Sequence, residues 1–322
     1  MGEPGGIGPE VIVRALSCLG AREYCSPIII GDSRVMNEAV NLTRLTLKIK
    51  SISSLSDSRP EAGSIEVFEV GTSLSFERCK PSKNAGMAVV KYVQKAVELA
   101  LKGEVKAIVT APISKESLKM AGHPWRGHTE LLAELTGQKV FAMMFVSDKL
   151  KIILSTIHVS LKDVPAMINK KLVTNVIELA REGAHMLGIK NPRIAVAGLN
   201  PHAGESGILG KEEIKAILPA VQKARGKGIS VSGPYPPDVV FYRAYKGDFD
   251  MVVCMYHDQG LIPFKMLAFD TGVNVTVGLP IIRTSPDHGT AFDIAWKGRA
   301  NPSSMIEAVK LASKLKLANK RH

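Results

Sequence analysis

Short apolar runs rich in β-branched residues alternate with stretches of helical periodicity along almost the whole chain, and this alternation limits the fold more than any other feature. The runs Pro27–Ile30, Ser64–Val70, Val105–Thr110, Lys139–Val146, Lys151–Ile157, Arg193–Ala197, Met251–Met255 and Val273–Val277 read as strands. Helical spacing of apolar residues is clearest over Val11–Leu19, Ala85–Leu101, Thr129–Leu135, Val173–Leu187, Glu212–Ala224 and Ser303–Leu317. Strand, helix and strand in succession build right-handed βαβ units, so the predicted class is α/β with a mostly parallel sheet. Hydrophobic residues make up 45% of the chain but aromatics only 5%, an aliphatic balance that suits strands covered by helices on both faces. With 322 residues the chain can bury one large core or two moderate ones. Gly, Pro and Trp between 122 and 127 interrupt two good α/β stretches, and no internal repeat or low-complexity linker occurs.

The formal net charge is +12. The basic residues are scattered, apart from the tail at Lys314, Lys316, Lys320 and Arg321, and no aromatic-interleaved basic stripe or zinc-finger spacing accompanies them. That pattern predicts no nucleic-acid partner and fits an enzyme with anionic substrates. Cys18, Cys25, Cys79 and Cys254 have irregular spacing and no CxxC pair, which predicts free thiols in a reducing cytoplasm. Cys254, inside the apolar run Met251–Met255, is expected in the core. No stretch reads as a membrane span, and no basic segment followed by an apolar one opens the chain as a secretory signal would. A cytoplasmic protein with no membrane partner is therefore expected.

The segment Gly2-Glu3-Pro4-Gly5-Gly6-Ile7-Gly8-Pro9-Glu10 leads into a helical run. Such a loop normally follows a strand, and none precedes this one. It lacks a GK[ST] ending and does not fit GxGxxG in register, so a tight structural turn and a ligand loop both stay open. Three of the eight histidines share a context. His158, His202 and His257 each sit just past the carboxyl end of a predicted strand. In an open parallel sheet those ends line one edge, where ligands bind. Any one of them alone fits a hydrogen-bonded structural role. Three imidazoles meeting there would make an open metal site for zinc, cobalt, nickel or iron, and substrate oxygens would also admit manganese or magnesium.

A second group suits an anion. Gly127-His128-Thr129-Glu130 precedes a helix, so His128 or Thr129 would stand beside exposed amides; a plain N-cap is the other reading of Thr129. Arg283, in the turn-rich Arg283-Thr284-Ser285-Pro286, suits bidentate phosphate recognition. Asn274 and Lys265 join this group, with a snorkelling surface lysine as the alternative for Lys265.

Together these segments resemble the 4-hydroxythreonine-4-phosphate dehydrogenase family. The motifs that carry the resemblance are Gly2–Glu10, Gly127–Glu130, His158–Pro165, Gly198–Gly207, Gly233–Phe241, Met255–Gly260, Gly272–Pro280 and Arg283–Asp293, which run from the first residues almost to the C-terminal helix. The resemblance implies an isocitrate/isopropylmalate-dehydrogenase-like α/β/α fold with an interdomain cleft. One domain would comprise residues 1–122 plus 286–322; the other, 123–285, would carry the metal ligands and the dimer interface. It implies a homodimer with an active site shared across the interface. His158 and His202 would bind a divalent metal (zinc, magnesium, manganese or cobalt) together with His257 of the partner subunit. His128, Thr129, Lys265, Asn274 and Arg283 would bind a phosphorylated hydroxy acid, and Lys265, Asp258 and Asp238 are the catalytic candidates. NAD would be held without a Rossmann fingerprint, in part by Asp287, His288, Gly289 and Thr290.

The implied reaction is oxidation, with decarboxylation, of 4-phosphohydroxy-L-threonine to 3-amino-2-oxopropyl phosphate in pyridoxal 5'-phosphate biosynthesis. Two departures stand out. The strand expected before Gly2 is missing, and Pro236-Pro237-Asp238 with Asp270-Thr271-Gly272 looks closer to a sister branch. That branch oxidises D-threonate or D-erythronate 4-phosphate in sugar-acid catabolism. Readings of other classes are a phosphate-binding acyl or phosphoryl transferase, which would need no nicotinamide, and a basic nucleic-acid binder, which would bind random DNA in a salt-sensitive way.

Overall fold

The structure, a computed structural model, describes residues 1–17, 23–70, 74–125 and 127–317; Cys18 and the tail residues Lys320 and Arg321 lie outside them. The chain divides into two compact units: Met1–Lys139 with Leu279–Lys314, and Val140–Gly278 with the segment that starts at Leu315.

The first unit runs α1 (Gly8–Ser17), β1 (Ile28–Gly31), α2 (Ser33–Thr43), β2 (Lys48–Ile52), β3 (Ser64–Glu69), α3 (Lys83–Leu101), β4 (Ala107–Val109), α4 (Lys115–Met120) and α5 (His128–Leu135). β1, β3 and β2 form a parallel sheet in that order, with Ile29 opposite Val67 and Ile49 opposite Ile65. The helices begin where side chains replace missing backbone acceptors. Buried Asp32 accepts from the amides of Arg34 and Val35 at α2, and Ser82 accepts from Ala85 at α3. In α3 the spacing of Ala85, Val89, Val93 and Val97 produces one buried face, as its periodicity predicts.

The second unit holds β5 (Ala142–Val146), β6 (Lys151–Leu154), α6 (Val164–Met167), α7 (Lys170–Met186), β7 (Ile194–Ala197), α8 (Leu218–Gly226), β8 (Val231–Tyr235), α9 (Pro237–Tyr245), β9 (Met251–Cys254), α10 (His257–Ala268) and β10 (Val273–Val277). Its strand order is β10-β5-β6-β9-β7-β8. β10–β5 and β5–β6 are antiparallel, while β6–β9, β9–β7 and β7–β8 are parallel. Every residue of β5, β7, β9 and β10 is buried. Cys254 is a core thiol, as expected, and burial pushes its pKa up.

The chain returns to the first unit with β11 (Ile282–Pro286) and α11 (Ser303–Lys314). β11 pairs in parallel with β4, placing Arg283 opposite Ile108. The fold is thus α/β with mostly parallel pairing, as the alternation predicts. β2 and β11 escape the sequence reading for opposite reasons. β2 is a largely solvent-facing edge, whereas β11 is wholly buried but carries Arg, Thr and Ser. Arg283 therefore sits in a strand and not in the turn its neighbours suggest. Among the described residues no helix is long and apolar enough to cross a membrane.

Candidate active site

β6, β9 and β7 are adjacent parallel strands, so their carboxyl ends lie along one edge of the second unit. The β6–β9 pairing continues past the strands: the amides of Ser155 and Thr156 donate to the carbonyls of Cys254 and Met255 at 2.8 and 3.2 Å. That register carries His158 and His257 to the same place, with ring centroids 5.8 Å apart and planes inclined by 39°. His257 opens α10, and its Nδ1 lies 2.7 Å from Asp258 Oδ1. An ionised carboxylate there takes the Nδ1–H and leaves the Nε2 lone pair free.

His202 follows β7 on a turn in which His202, Ala203, Gly204, Glu205 and Ser206 all have left-handed backbone angles. Glu213 holds this turn. Its carboxylate is 3% exposed and accepts from the amides of Leu199 and Asn200, both at 2.8 Å, and from Asn200 Nδ2 at 3.0 Å. Buried Gln259 ties the two loops together: it accepts from the Met255 amide at 2.6 Å and donates to the Gly198 carbonyl at 2.7 Å.

The expected metal triad is brought only partly together. Among the described residues no three His, Cys, Asp or Glu side chains of one chain stand close enough to hold an ion. The donor chemistry nevertheless fits metal ligation, because His158 and His257 lie near one another and a carboxylate of Asp258 lies against Nδ1 of His257. Asp258 is thus engaged with an imidazole. Asp238 is exposed in the first turn of α9. Lys265 lies half-buried on α10 with its ammonium 5.4 Å from the Phe269 ring centroid. Asn274, on β10, is buried, and its Oδ1 has no hydrogen-bond partner. A buried amide oxygen of this kind is suited to a ligand donor.

The first unit holds the anion group. Arg283 is 3% exposed, and burial lowers its pKa to about 10. Its Nε and Nη2 donate to Thr110 Oγ1 at 3.2 and 2.7 Å. Thr110 is a residue that sequence reasoning missed; its only signal was its place at the end of the strand-like run Val105–Thr110. The cap of α5 is Gly127, with no side-chain cap bond, so Thr129 is not the N-cap. Thr129 is buried in the first turn. The pKa of His128 is driven well below the usual range by burial, then by the charges of Arg283 and the amino terminus. A neutral imidazole, a buried guanidinium and a helix start with no side-chain cap together favour a bound anion.

The Gly-rich loop proves to be a packed turn. The Glu3, Gly6 and Ile7 amides donate to Pro112, Glu3 and Thr290 carbonyls at 2.9, 3.1 and 3.0 Å. Ile7 thereby places Thr290 against this loop, a contact the sequence could not show. Glu3 within the loop is fully buried. Burial raises its carboxyl to about 7.

The paired imidazoles at strand ends of the second unit are of a type that can ligate a metal, and the buried arginine beside a helix start of the first unit is of a type that can hold an anion. The family model described as "Pyridoxal phosphate biosynthetic protein PdxA" matches residues 23–312, and the chain belongs to that family. A 4-hydroxythreonine-4-phosphate dehydrogenase from Desulforapulum autotrophicum is 46% identical over 97% of this chain and 93% of its own. A D-threonate 4-phosphate dehydrogenase from Pectobacterium atrosepticum is also 46% identical, over 98% of this chain and 97% of its own. The crystal structure of a 4-hydroxythreonine-4-phosphate dehydrogenase from Klebsiella pneumoniae superposes with a TM-score of 0.89 at 42% identity, covering 98% of this chain and 96% of that one. The chain is accordingly an oxidoreductase acting on a CH–OH group, and its family makes a nicotinamide cofactor and a metal the expected equipment.

Proposed function

We propose that the protein uses NAD and a divalent metal to oxidise 4-phosphohydroxy-L-threonine, with decarboxylation, to 3-amino-2-oxopropyl phosphate for pyridoxal 5'-phosphate biosynthesis. The observation that carries this reading is the His158–His257 pair, with Asp258 on one imidazole. A bound metal supplies Lewis-acid polarisation of the substrate hydroxyl, and bound NAD accepts hydride. The protein supplies the rest. Asp258 holds the His257 proton on Nδ1 so that Nε2 points a lone pair outward. Arg283, with Thr110 behind it, and His128 and Thr129 at the α5 start take the phosphate. Asn274 Oδ1 accepts from a substrate donor. Lys265 and Asp238 are the groups assigned to moving the hydroxyl proton, directly or through a water. Asp287, His288, Gly289 and Thr290 are assigned to NAD.

One chain presents two of the three imidazoles side by side, so a second copy completes the metal shell in a homodimer. The resemblance gives that part to His257 of the partner subunit. The exposed apolar residues Ile262 and Met266 of α10 and Phe269 just after it, at 61%, 82% and 70% exposure, support such a dimer.

A second substrate is favoured by a specific observation: D-threonate 4-phosphate dehydrogenases match at the same identity. The test follows NADH absorbance with 4-phosphohydroxythreonine, 4-phosphothreonate and 4-phosphoerythronate, each with and without a chelator. Chelator-sensitive NADH from the amino substrate alone supports the biosynthetic role. Preference for a sugar acid transfers the protein to the catabolic branch. Folded, metal-supplied protein that reduces no NAD with any of the three refutes both.

A further inference from the structure

Residues 287–302 join β11 to α11 within the first unit, and their backbone is strained. Ala291 and Trp296, neither of them glycine, have φ of 41° and 57°. Side chains rarely take left-handed angles, and such strain persists only where the surroundings over-determine the backbone. A plain connection from β11 to α11 needs no left-handed alanine or tryptophan.

The restraints come from separate stretches of the first unit. At the start of the loop the Asp287 amide donates to Ser304 Oγ at 3.1 Å. Next, the Ile7 amide donates to the Thr290 carbonyl at 3.0 Å. Gly6 allows that approach, because a Cβ there would come within 3.0 Å of the Thr290 carbonyl oxygen. The Cys79 thiol donates to the Ala295 carbonyl at 3.2 Å. Trp296 Nε1 donates to the Pro4 carbonyl at 3.0 Å. Arg78 lies over the indole, 3.9 Å from its centroid, and donates Nη1 to the same carbonyl at 3.1 Å. At the far end Arg14 Nη2 donates to the Gly298 carbonyl, and the Glu10 carboxylate accepts from the Ala300 amide at 2.7 Å. Glu10 is 2% exposed, and a buried carboxylate is costly unless it is hydrogen-bonded. Here its bond goes to the loop.

Gly289 is the part of the loop left open. It is exposed, and a Cβ built there would meet nothing within 4 Å. Bare backbone on a fixed, open turn suits the close approach of a phosphate or ribose, so the loop fits a dinucleotide.

Resting on the assignment of Asp287, His288, Gly289 and Thr290 to NAD, we propose that Glu10 and Trp296 are positioning residues for the dinucleotide: they fix the β11–α11 loop on its strained path, so that NAD meets a surface already ordered. Binding to a preordered loop avoids the ordering cost that a mobile one would add. Both residues act through the loop and through neither the imidazoles nor Arg283.

The experiment measures NADH affinity by fluorescence, and hydrogen exchange over residues 287–300, in the full chain and three variants. Glu10→Met removes the acceptor of the Ala300 amide, and Glu10→Gln keeps one. Trp296→Phe keeps a ring beneath Arg78 but loses the bond to Pro4. Glu10→Met is expected to speed exchange at 287–300 in the free protein and to raise the NADH Kd about tenfold, the equivalent of one buried hydrogen bond. Trp296→Phe is expected to raise it about threefold, and Glu10→Gln to leave it near the wild-type value. In turnover the KM for NAD should rise by the same factors, while kcat at saturating NAD and the KM of the phosphorylated substrate stay within about twofold of wild type. Faster exchange with unchanged NADH affinity overturns the proposal, because the loop is then held for another purpose. A loss of kcat or of substrate KM as large as the loss of coenzyme affinity also overturns it, as does a Glu10→Gln protein as impaired as Glu10→Met. If Glu10→Met does not fold, Trp296→Phe decides, and wild-type NADH affinity there refutes the proposal. Wild-type protein that binds NADH with no slowed exchange at 287–290 marks a different failure, that of the coenzyme assignment itself, and the positioning role falls with it.

Discussion

Replacing Arg283 by Met should stabilise the free protein while abolishing its hold on phosphate. Arg283 is 3% exposed, and burial lowers its pKa to about 10. That fall corresponds to about 3 kcal/mol held against the charged form in the folded state. The sign is that of a depressed base. Below pH 10 the folded and unfolded states are both protonated, so the whole penalty is present at neutral pH and does not vary there. Methionine removes the penalty but also the bonds to Thr110 Oγ1, which share that one acceptor and together count as about one charged hydrogen bond, roughly 1.5–3 kcal/mol. The net gain expected is about 1 kcal/mol, or a rise in Tm of about 2–4 °C. Inorganic phosphate at about ten times its Kd should raise the wild-type Tm by a further 3–5 °C or so and leave the variant unmoved. Loss of two charged hydrogen bonds should also lower kcat/KM for a phosphorylated substrate by about 10²–10³. Differential scanning calorimetry with and without phosphate is the assay. A variant whose Tm falls by many degrees, or one that still responds to phosphate, would refute the argument, because the charge would then be neither strained nor aimed at an anion.

Asp258→Asn should weaken cobalt or zinc binding by about 10–100-fold, measured by titration against a chromophoric chelator, because the amide no longer favours the Nδ1–H tautomer of His257. Unchanged affinity would remove Asp258 from that role. Glu3→Gln should flatten the pH dependence of stability. The raised Glu3 pKa means that the folded state keeps a proton the unfolded state has lost, so wild-type stability declines as pH rises from 4.5 to about 7. Urea unfolding across that window should show the wild type losing about 3 kcal/mol relative to the variant, and parallel curves would be the contrary result. Glu213→Gln should speed hydrogen exchange over residues 199–209 and lower global stability by about 2–3 kcal/mol, since three donors lose a charged acceptor. Wild-type exchange in that loop would show that the carboxylate does not hold it.

The parts of this fold that the sequence revealed are those where side-chain chemistry and burial agree. β9 and β10 are wholly buried runs of apolar or mostly apolar residues, and hydropathy marks both. β11 is equally buried but reads Ile-Arg-Thr-Ser-Pro. Two of its polar groups find distant partners: Arg283 meets Thr110, and the Thr284 hydroxyl donates to the Ala308 carbonyl at 2.8 Å. Those partners stand 173 and 24 residues away, so no local window contains the reason. The histidines followed the same division. Their position after strands was legible, and adjacent parallel strands do carry all three to one edge. Which of them approach one another depended on register beyond the strand ends and on Asp258, neither of which periodicity records.

The His202 turn shows what such reading cannot reach. Pro-His-Ala-Gly-Glu-Ser contains nothing that forbids an ordinary helical turn, yet four of its non-glycine residues, His202, Ala203, Glu205 and Ser206, adopt left-handed angles. Each such residue costs roughly 1–2 kcal/mol. The compensation lies in Glu213, whose three accepted bonds are each worth about 1.5–3 kcal/mol as charged hydrogen bonds, so strain and restraint nearly balance. Gly198 and Gly204 make the fit possible, since a Cβ on Gly198 would come within 2.9 Å of the Ala203 Cα and one on Gly204 within 2.6 Å of a Glu213 carboxylate oxygen. Gln259 then fixes this loop to the one that presents His257. A chain that needed only to connect β7 to α8 would take the relaxed helical turn. Strain that is matched by a buried carboxylate and tied to a neighbouring imidazole loop is the arrangement expected where the direction of one side chain, His202, has to be set independently of local preference.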